Sequence, residues 1–368
     1  MTRAHTQTSR PLQALVDLAA MTHNLEQARA RAGARPLWAV VKANAYGHGI
    51  ENAVRAFGAA DGLALLETDE AQRARAAGWR KPILLLEGIF AAADLQLVEA
   101  LDLTVVIHCA EQLAMLETAK PQRAVDAYLK IDTGMNRLGF APEQVPMARS
   151  RLAALPHVRI AALMTHLANA DREHPPAPTV AGQHAALHAL APDWHGAWSV
   201  SNSAALFLHP SRGAESVRPG ITLYGASPSA GVSAASLGLK AAMCLQARVL
   251  AVRELAPGQS VGYGSAWTAQ RRARIGVVAC GYADGYPRTA PEAMPVWAGG
   301  RRVPLVGRVS MDMLTIDLGE VPGVVEGSPV ELWGPNIPVD ELAQRVGTVG
   351  YELLAGLPAR VREEPACD

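Results

Sequence analysis

The stretch Trp38-Ala-Val-Val-Lys42-Ala-Asn-Ala-Tyr46-Gly-His-Gly49 opens as a short apolar run with β-branched residues. Such a run predicts a strand buried on both faces. The run stops at Lys42, and the small residues after it, with Gly47 and Gly49 around His48, predict a turn. A lysine at the inner end of a buried strand is costly to keep charged. A lowered pKa or covalent capture as a Schiff base relieves that cost. A Val-Lys pair alone reads more readily as a strand-edge lysine whose amine reaches water.

Outward from this stretch a rhythm sets in. Strand-like runs occur at 38–43, 62–66, 83–87, 103–107, 127–132, 160–165, 197–201 and 217–223. Ala/Leu/Arg/Glu-rich segments of helical period, such as Glu67–Ala77 and Ala110–Ala119, lie between them. Strand and helix alternating eight times predicts a parallel (β/α)8 TIM-like barrel, an α/β fold. No G-x-G-x-x-G follows the first strand, which disfavours a dinucleotide-binding sheet. Before the barrel, Ala14–Leu18 reads as a strand and Thr22–Ala32 as a helix closed by Gly33. Beyond about residue 240 the texture changes to short strand-like runs separated by Gly/Pro turns, with only Val339–Arg345 helical. The expected organisation is a barrel over residues 11–240 and a C-terminal, mostly-β domain over 241–368.

Composition narrows the function classes. In 368 residues, 34 basic and 34 acidic side chains balance, and no lysine-arginine stripe is present. Nucleic acid is therefore not an expected partner. No apolar run approaches a membrane span, and the N-terminus lacks the apolar core of a signal peptide. Cys109, Cys244, Cys280 and Cys367 show no C-x-x-C spacing, as expected of a reduced, cytoplasmic protein. Residues 1–10 are polar and expected to be disordered.

In a barrel, polar residues at the C-terminal strand ends are the first site candidates. Lys130-Ile-Asp-Thr-Gly-Met-Asn-Arg137, Thr165-His166, Ser201-Asn202-Ser203 and Arg218-Pro-Gly220-Ile221-Thr-Leu-Tyr-Gly225 fall there. Each has an ordinary explanation: surface charge for Lys130 and Arg137, a satisfied core histidine for His166, a helix N-cap for Ser203. Their convergence on one rim is what singles them out.

The string Val41-Lys42-Ala-Asn-Ala-Tyr46-Gly-His-Gly49 resembles the pyridoxal-phosphate lysine segment of alanine racemases. Six separated motifs, between about Leu12 and Arg362, follow that family's order. The resemblance implies pyridoxal 5′-phosphate as cofactor, alanine as substrate, and racemisation by two bases, Lys42 and Tyr263, on opposite cofactor faces. It gives Lys42 the covalent link and assigns phosphate contacts to Tyr46, Ser203, Gly220, Ile221 and Tyr351, with Asn202 beside them. It sets His166 against the pyridine ring and Arg218 at the pyridine nitrogen. Arg137 would reach the cofactor phenolate and the substrate carboxylate, and Lys130, if carbamylated, would orient it. Met311, Asp312 and Tyr282 would line the substrate entrance. A homodimer with active sites shared across the interface is also implied. The alternatives are a broader-specificity racemase, a decarboxylase of the same architecture, and a non-racemising pyridoxal-phosphate-binding protein. Tyr263 argues against the last, because a carrier needs no second base.

One further motif, His184-Ala-Ala-Leu-His188, places two imidazoles one helical turn apart, as zinc ligands often are. It lacks the glutamate of H-E-x-x-H, and the sequence offers no third ligand. A solvated helix face is the expectation, and no metal site is expected.

Overall fold

Short apolar runs cannot each bury themselves, so they pair; the order in which they pair fixes the architecture. The computed structural model describes residues 9–119, 121–172, 174–209 and 215–366; the polar residues 1–8 and Cys367 lie outside the described residues. The chain divides into two compact units, one of Met21–Leu239 and one joining the residues up to Ala20 with those from Lys240 onward.

The first strand is β1 (Leu12–Val16). The next eight are β2 (Trp38–Val40), β3 (Gly62–Leu65), β4 (Ile83–Leu85), β5 (Leu103–Ile107), β6 (Val125–Lys130), β7 (Val158–Met164), β8 (Ala197–Asn202) and β9 (Ser216–Arg218). Strands β2 to β9 pair in sequence order and all in parallel. The ring is closed by a parallel bridge between Leu37 and Val217 and by the Val40 amide donating to Pro219 O at 2.9 Å. Strands β2 to β5 are buried throughout, as strands covered by helices on one face and by barrel core on the other must be.

Some sequence expectations need correction here. The eighth run was expected to extend over 217–223, but strand β9 ends at Arg218 and Ile221–Tyr224 forms a 3-10 turn. Pro219 lacks the N–H a ladder needs, so the strand stops. The first helix spans Leu18–Ala32 rather than starting at Thr22, because Asp17 Oδ1 accepts the Ala20 amide at 2.8 Å and caps it.

The second unit adds β10 (Met243–Leu255), β11 (Ser260–Val261), β12 (Trp267–Thr268), β13 (Ala273–Val278), β14 (Pro295–Ala298), β15 (Arg301–Pro304), β16 (Leu314–Asp317), β17 (Pro329–Trp333) and β18 (Arg362–Pro365). Its spine is β10, which pairs antiparallel with β1, β13 and β17. Register shifts at Leu245/Gln246 and Val249/Ala251 let one long strand serve several partners. Strand β1, grouped from sequence with the barrel, belongs by its pairing with β10 and β18 to this unit. A helix, Gly350–Ala355, joins the expected one at Val339–Val346. Among the described residues, no helix is long and apolar enough to cross a membrane.

Candidate active site

Strand β2 ends at Val40, short of the expected 38–43; one residue, Val41, separates it from Lys42, and the backbone beyond is unusual. Ala43, Asn44, Ala45 and Tyr46 have φ of 53°, 53°, 55° and 52°, a single left-handed turn built without glycine. Each such residue costs roughly 1–2 kcal/mol, so the surroundings must impose the conformation. The Asn44 amide donates to Glu70 Oε1 at 2.7 Å. The Tyr46 ring stacks on Tyr224 at 4.7 Å, and the Tyr224 hydroxyl donates to Val40 O at 2.9 Å. His48 packs on the same Tyr224 ring at 4.6 Å. Strain held in this way, between a strand end and a buried aromatic stack, is characteristic of functional turns. Its effect is to fix Lys42 and Tyr46 relative to the barrel rim.

Tyr46 faces the second part of the site. A Cβ on Gly220 would lie 2.4 Å from the Tyr46 hydroxyl oxygen, so the two segments touch only because residue 220 is glycine. The Gly220 amide donates to Ser203 Oγ at 2.8 Å, and Thr222 Oγ1 donates to the same atom at 3.2 Å. Tyr46, Ser203 and Gly220 thus converge as hydroxyl, hydroxyl and amide, all buried, with Ile221 opening the next turn. Asn202 is used structurally, since its Oδ1 caps the helix Ser203–Leu208 through the Ala205 amide at 3.0 Å.

The third part is cationic. Arg218 is 3% exposed and donates to Ser199 Oγ at 2.6 Å, Thr165 O at 2.9 Å and Val200 O at 3.2 Å. Burial lowers its pKa to about 10, which still leaves it charged near neutrality. Burial and then Arg218 lower Lys130 to about 8. Burial, reinforced by Arg218, Lys130 and Arg137, holds His166 well below the ordinary histidine value, so its ring is neutral. Burial and Arg137 lower Lys42, while Glu87 and Glu70 work against them. Arg137 is delivered by the loop after β6, where Asp132 Oδ1 accepts the Gly134 and Asn136 amides at 2.9 and 3.1 Å.

These residues could hold a polyanion that carries an aldehyde. The hydroxyl–amide cradle suits a phosphate, the cation excess suits phosphate and carboxylate together, and a buried lysine of lowered pKa suits Schiff-base formation. Pyridoxal 5′-phosphate fits this donor set.

The remaining candidates lie in the second unit. The Tyr282 and Ala283 amides donate to Ser310 O and Met311 O at 3.0 and 2.9 Å, which laces the Tyr282 turn to the Met311 loop. Fully buried Asp284 accepts from Arg10 and Arg360, each at 2.7 Å, and Arg360 also binds Asp312 Oδ1 at 2.6 Å. Tyr282, Met311 and Asp312 are therefore brought together, with the Asp312 carboxylate engaged by Arg360. Tyr263 stands on a turn with Gly262 and Gly264 at positive φ and is 74% exposed. Tyr351 sits in the helix Gly350–Ala355.

Comparison with known proteins agrees along nearly the whole chain. Residues 16–228 match the family described as "Alanine racemase, N-terminal domain", and residues 242–364 match "Alanine racemase, C-terminal domain". The chain belongs to the alanine racemase family. It is thus an isomerase dependent on pyridoxal 5′-phosphate, as members of the alanine racemase family are. An alanine racemase of Janthinobacterium sp. (strain Marseille) is 51% identical, over 96% of this chain and 98% of that protein. The crystal structure of the biosynthetic alanine racemase from Pseudomonas aeruginosa superposes with a TM-score of 0.92 at 47% identity, covering 97% of this chain and 100% of that one. An alanine racemase structure from Acinetobacter baumannii gives 0.89 at 35% identity, covering 96% and 99%.

Two residues that shape this alanine racemase site were not singled out from sequence. Tyr224 lay within the quoted Arg218–Gly225 string, and its place just beyond Gly220 was the available signal. Glu70 gave none: a glutamate in the first turn of a helix looks like any other.

Proposed function

We propose that this chain interconverts L- and D-alanine with Lys42 and Tyr263 as the two bases, in a homodimer whose sites draw on both chains. The observation that best supports this reading is the left-handed turn that joins Lys42 to the Tyr46–Ser203–Gly220 cradle. Bound there, pyridoxal 5′-phosphate supplies an electron sink that acidifies the Cα–H of the amino acid. Lys42 is the covalent anchor, and its lowered pKa lets its amine take or return a proton on one face. Tyr263 serves the other face. Arg218 cannot release its proton near neutrality; it would donate to the ring nitrogen, which would restrain the sink and suppress stray reactions at Cα. Neutral His166 would lie against the ring, Tyr46, Ser203, Gly220, Ile221 and Tyr351 would hold the phosphate end, and Asn202 would support them by capping the helix that starts at Ser203. Arg137 orients the substrate carboxylate, Met311 and Asp312 line the entrance, and Tyr282 with Tyr351 restricts it to small side chains.

Lys130, lowered to a pKa of about 8 by burial and then by Arg218 and Arg137, has more of the free amine that carbamylation requires than an ordinary lysine; as a carbamate it would be the anion that holds Arg137 in place. The shared-site dimer is supported by exposure: Tyr263 is 74% and Met311 52% exposed in the single chain. We place the enzyme in the cytoplasm, where the unbridged Cys109, Cys244 and Cys280 are stable. There it serves D-alanine supply to the cell wall or L-alanine use in catabolism.

A complementation experiment tests the reading. Lys42→Ala and Tyr263→Phe are each inactive and are unfolded and refolded as an equal mixture. Half of the dimers are then mixed, and each mixed dimer has one site with both bases intact, so about a quarter of wild-type racemisation returns. No recovery despite demonstrated subunit exchange overturns the shared site.

A further inference from the structure

The two histidines without a third ligand in the sequence have one in the fold. His184 and His188 lie on the helix Val180–Ala189, and Glu215 stands immediately before β9. Glu215 Oε1 is 3.0 Å from His184 Nε2 and 3.6 Å from His188 Nε2. One ligating atom from each residue lies within 4.8 Å of the others. We propose that His184, His188 and Glu215 form a binding site for a borderline divalent transition metal, with zinc as the type ion and water in the open position.

Geometry and chemistry both support this. Bonds of about 2.0–2.1 Å to imidazole nitrogen and carboxylate oxygen in a tetrahedron put neighbouring ligand atoms about 3.3 Å apart. The two observed separations, 3.0 and 3.6 Å, bracket that edge. Two imidazoles with one carboxylate select zinc, cobalt or nickel over magnesium or calcium, which prefer oxygen. Three protein ligands leave a position for solvent, and the partial exposure of both histidines gives an ion access to it. Trp198 packs on the His188 ring at 4.2 Å and fixes its orientation. Glu215 is buried and already aims its carboxylate at both rings.

The site lies at the opposite end of the barrel from the cofactor residues. Helices that follow barrel strands return toward the N-terminal strand ends, and His188 is in the last turn of its helix. Glu215 enters the strand that Arg218 leaves. The ion is thus a clamp between the helix and the start of β9, and it stabilises the barrel without touching the chemistry. Lacking the ion, Glu215 hydrogen-bonds His184 and raises its pKa, so the metal competes with a plain ion pair.

The test uses tag-free holoenzyme stripped with chelator, titrated with Co2+ by visible absorption and with Zn2+ by calorimetry. One ion per chain, tetrahedral-type cobalt bands and a raised Tm are expected. The His184→Gln/His188→Gln double variant should bind at least about 100-fold more weakly and racemise at the wild-type rate. His188→Gln alone keeps the Glu215–His184 pair and, with its side chain half exposed, still folds; it should lose the cobalt bands. Equal uptake by wild type and double variant, or no saturable binding by wild type, overturns the site and leaves an ion pair only.

Discussion

Lys42 leaves its strand into a left-handed turn gripped by Glu70, Tyr224 and Gly220, whereas Tyr263 stands on a Gly-flanked turn with 74% of its surface open. Both are proposed bases in one reaction, yet the lysine is enclosed by its own unit. Burial and the Arg137 charge lower its pKa, and a strained backbone fixes its origin. The tyrosine is presented rather than enclosed. A catalytic group can be prepared by the fold that carries it, or it can be displayed so that assembly completes its environment.

The largest expected effect tests the enclosed side. Lys42→Ala should lower racemisation by at least about 10^4-fold and leave a protein without covalently held cofactor. A borohydride-stable adduct on another lysine would remove Lys42 from its role. Next comes the presented side. Tyr263→Phe should cost about 10^2–10^4-fold while Tm and cofactor content stay unchanged, since phenylalanine keeps the ring and removes only the hydroxyl. In heavy water this variant should still exchange Cα hydrogen from one enantiomer far faster than from the other. Equal loss for both enantiomers would contradict a face-specific base.

Gly220→Ala probes the grip itself. The added methyl meets the Tyr46 hydroxyl at 2.4 Å, and overpacking of that kind costs about 1–3 kcal/mol. Cofactor retention on dialysis should weaken by about 10–100-fold; unchanged retention would show that the turn yields freely. The smallest effect concerns Lys130, whose pKa falls to about 8 from 10.5. The folded state bears the full cost of the buried charge below pH 8 and escapes it as pH rises through 10.5. In CO2-free buffer, Lys130→Met should therefore raise Tm by a few degrees at pH 7, at about 2–4 °C per kcal/mol, with the gain fading toward pH 10. Added bicarbonate should raise Tm of the wild type alone. A pH-independent difference would refute the charge penalty.

Much of the barrel was legible because parallel strands buried on both faces must be continuous apolar runs. Thus β2, β4 and β5 sit inside the runs at 38–43, 83–87 and 103–107. Strand β1 was misplaced because LQALV carries no mark of its partner; only pairing with β10, more than 200 residues away, assigns it. Lys42, Tyr46, Ser203 and Gly220 could be named from the chain, but their convergence could not. The contact of Tyr46 with Gly220 depends on four consecutive left-handed residues, a conformation that the alanines and the tyrosine among them do not favour by themselves.

What the sequence alone determined is whatever depends on local order: the strand–helix alternation, the switch to β texture near residue 240, and the string around Lys42. Such features follow from hydrophobic period and turn chemistry, which act over a few residues. Only the tertiary structure decided the cation balance at Arg218, the shifts at Lys130 and His166, and the meeting of Glu215 with His184 and His188. Desolvation and Coulomb interaction depend on distance through space, and residues 27 or 31 positions apart in the chain reveal nothing of that distance until the barrel closes.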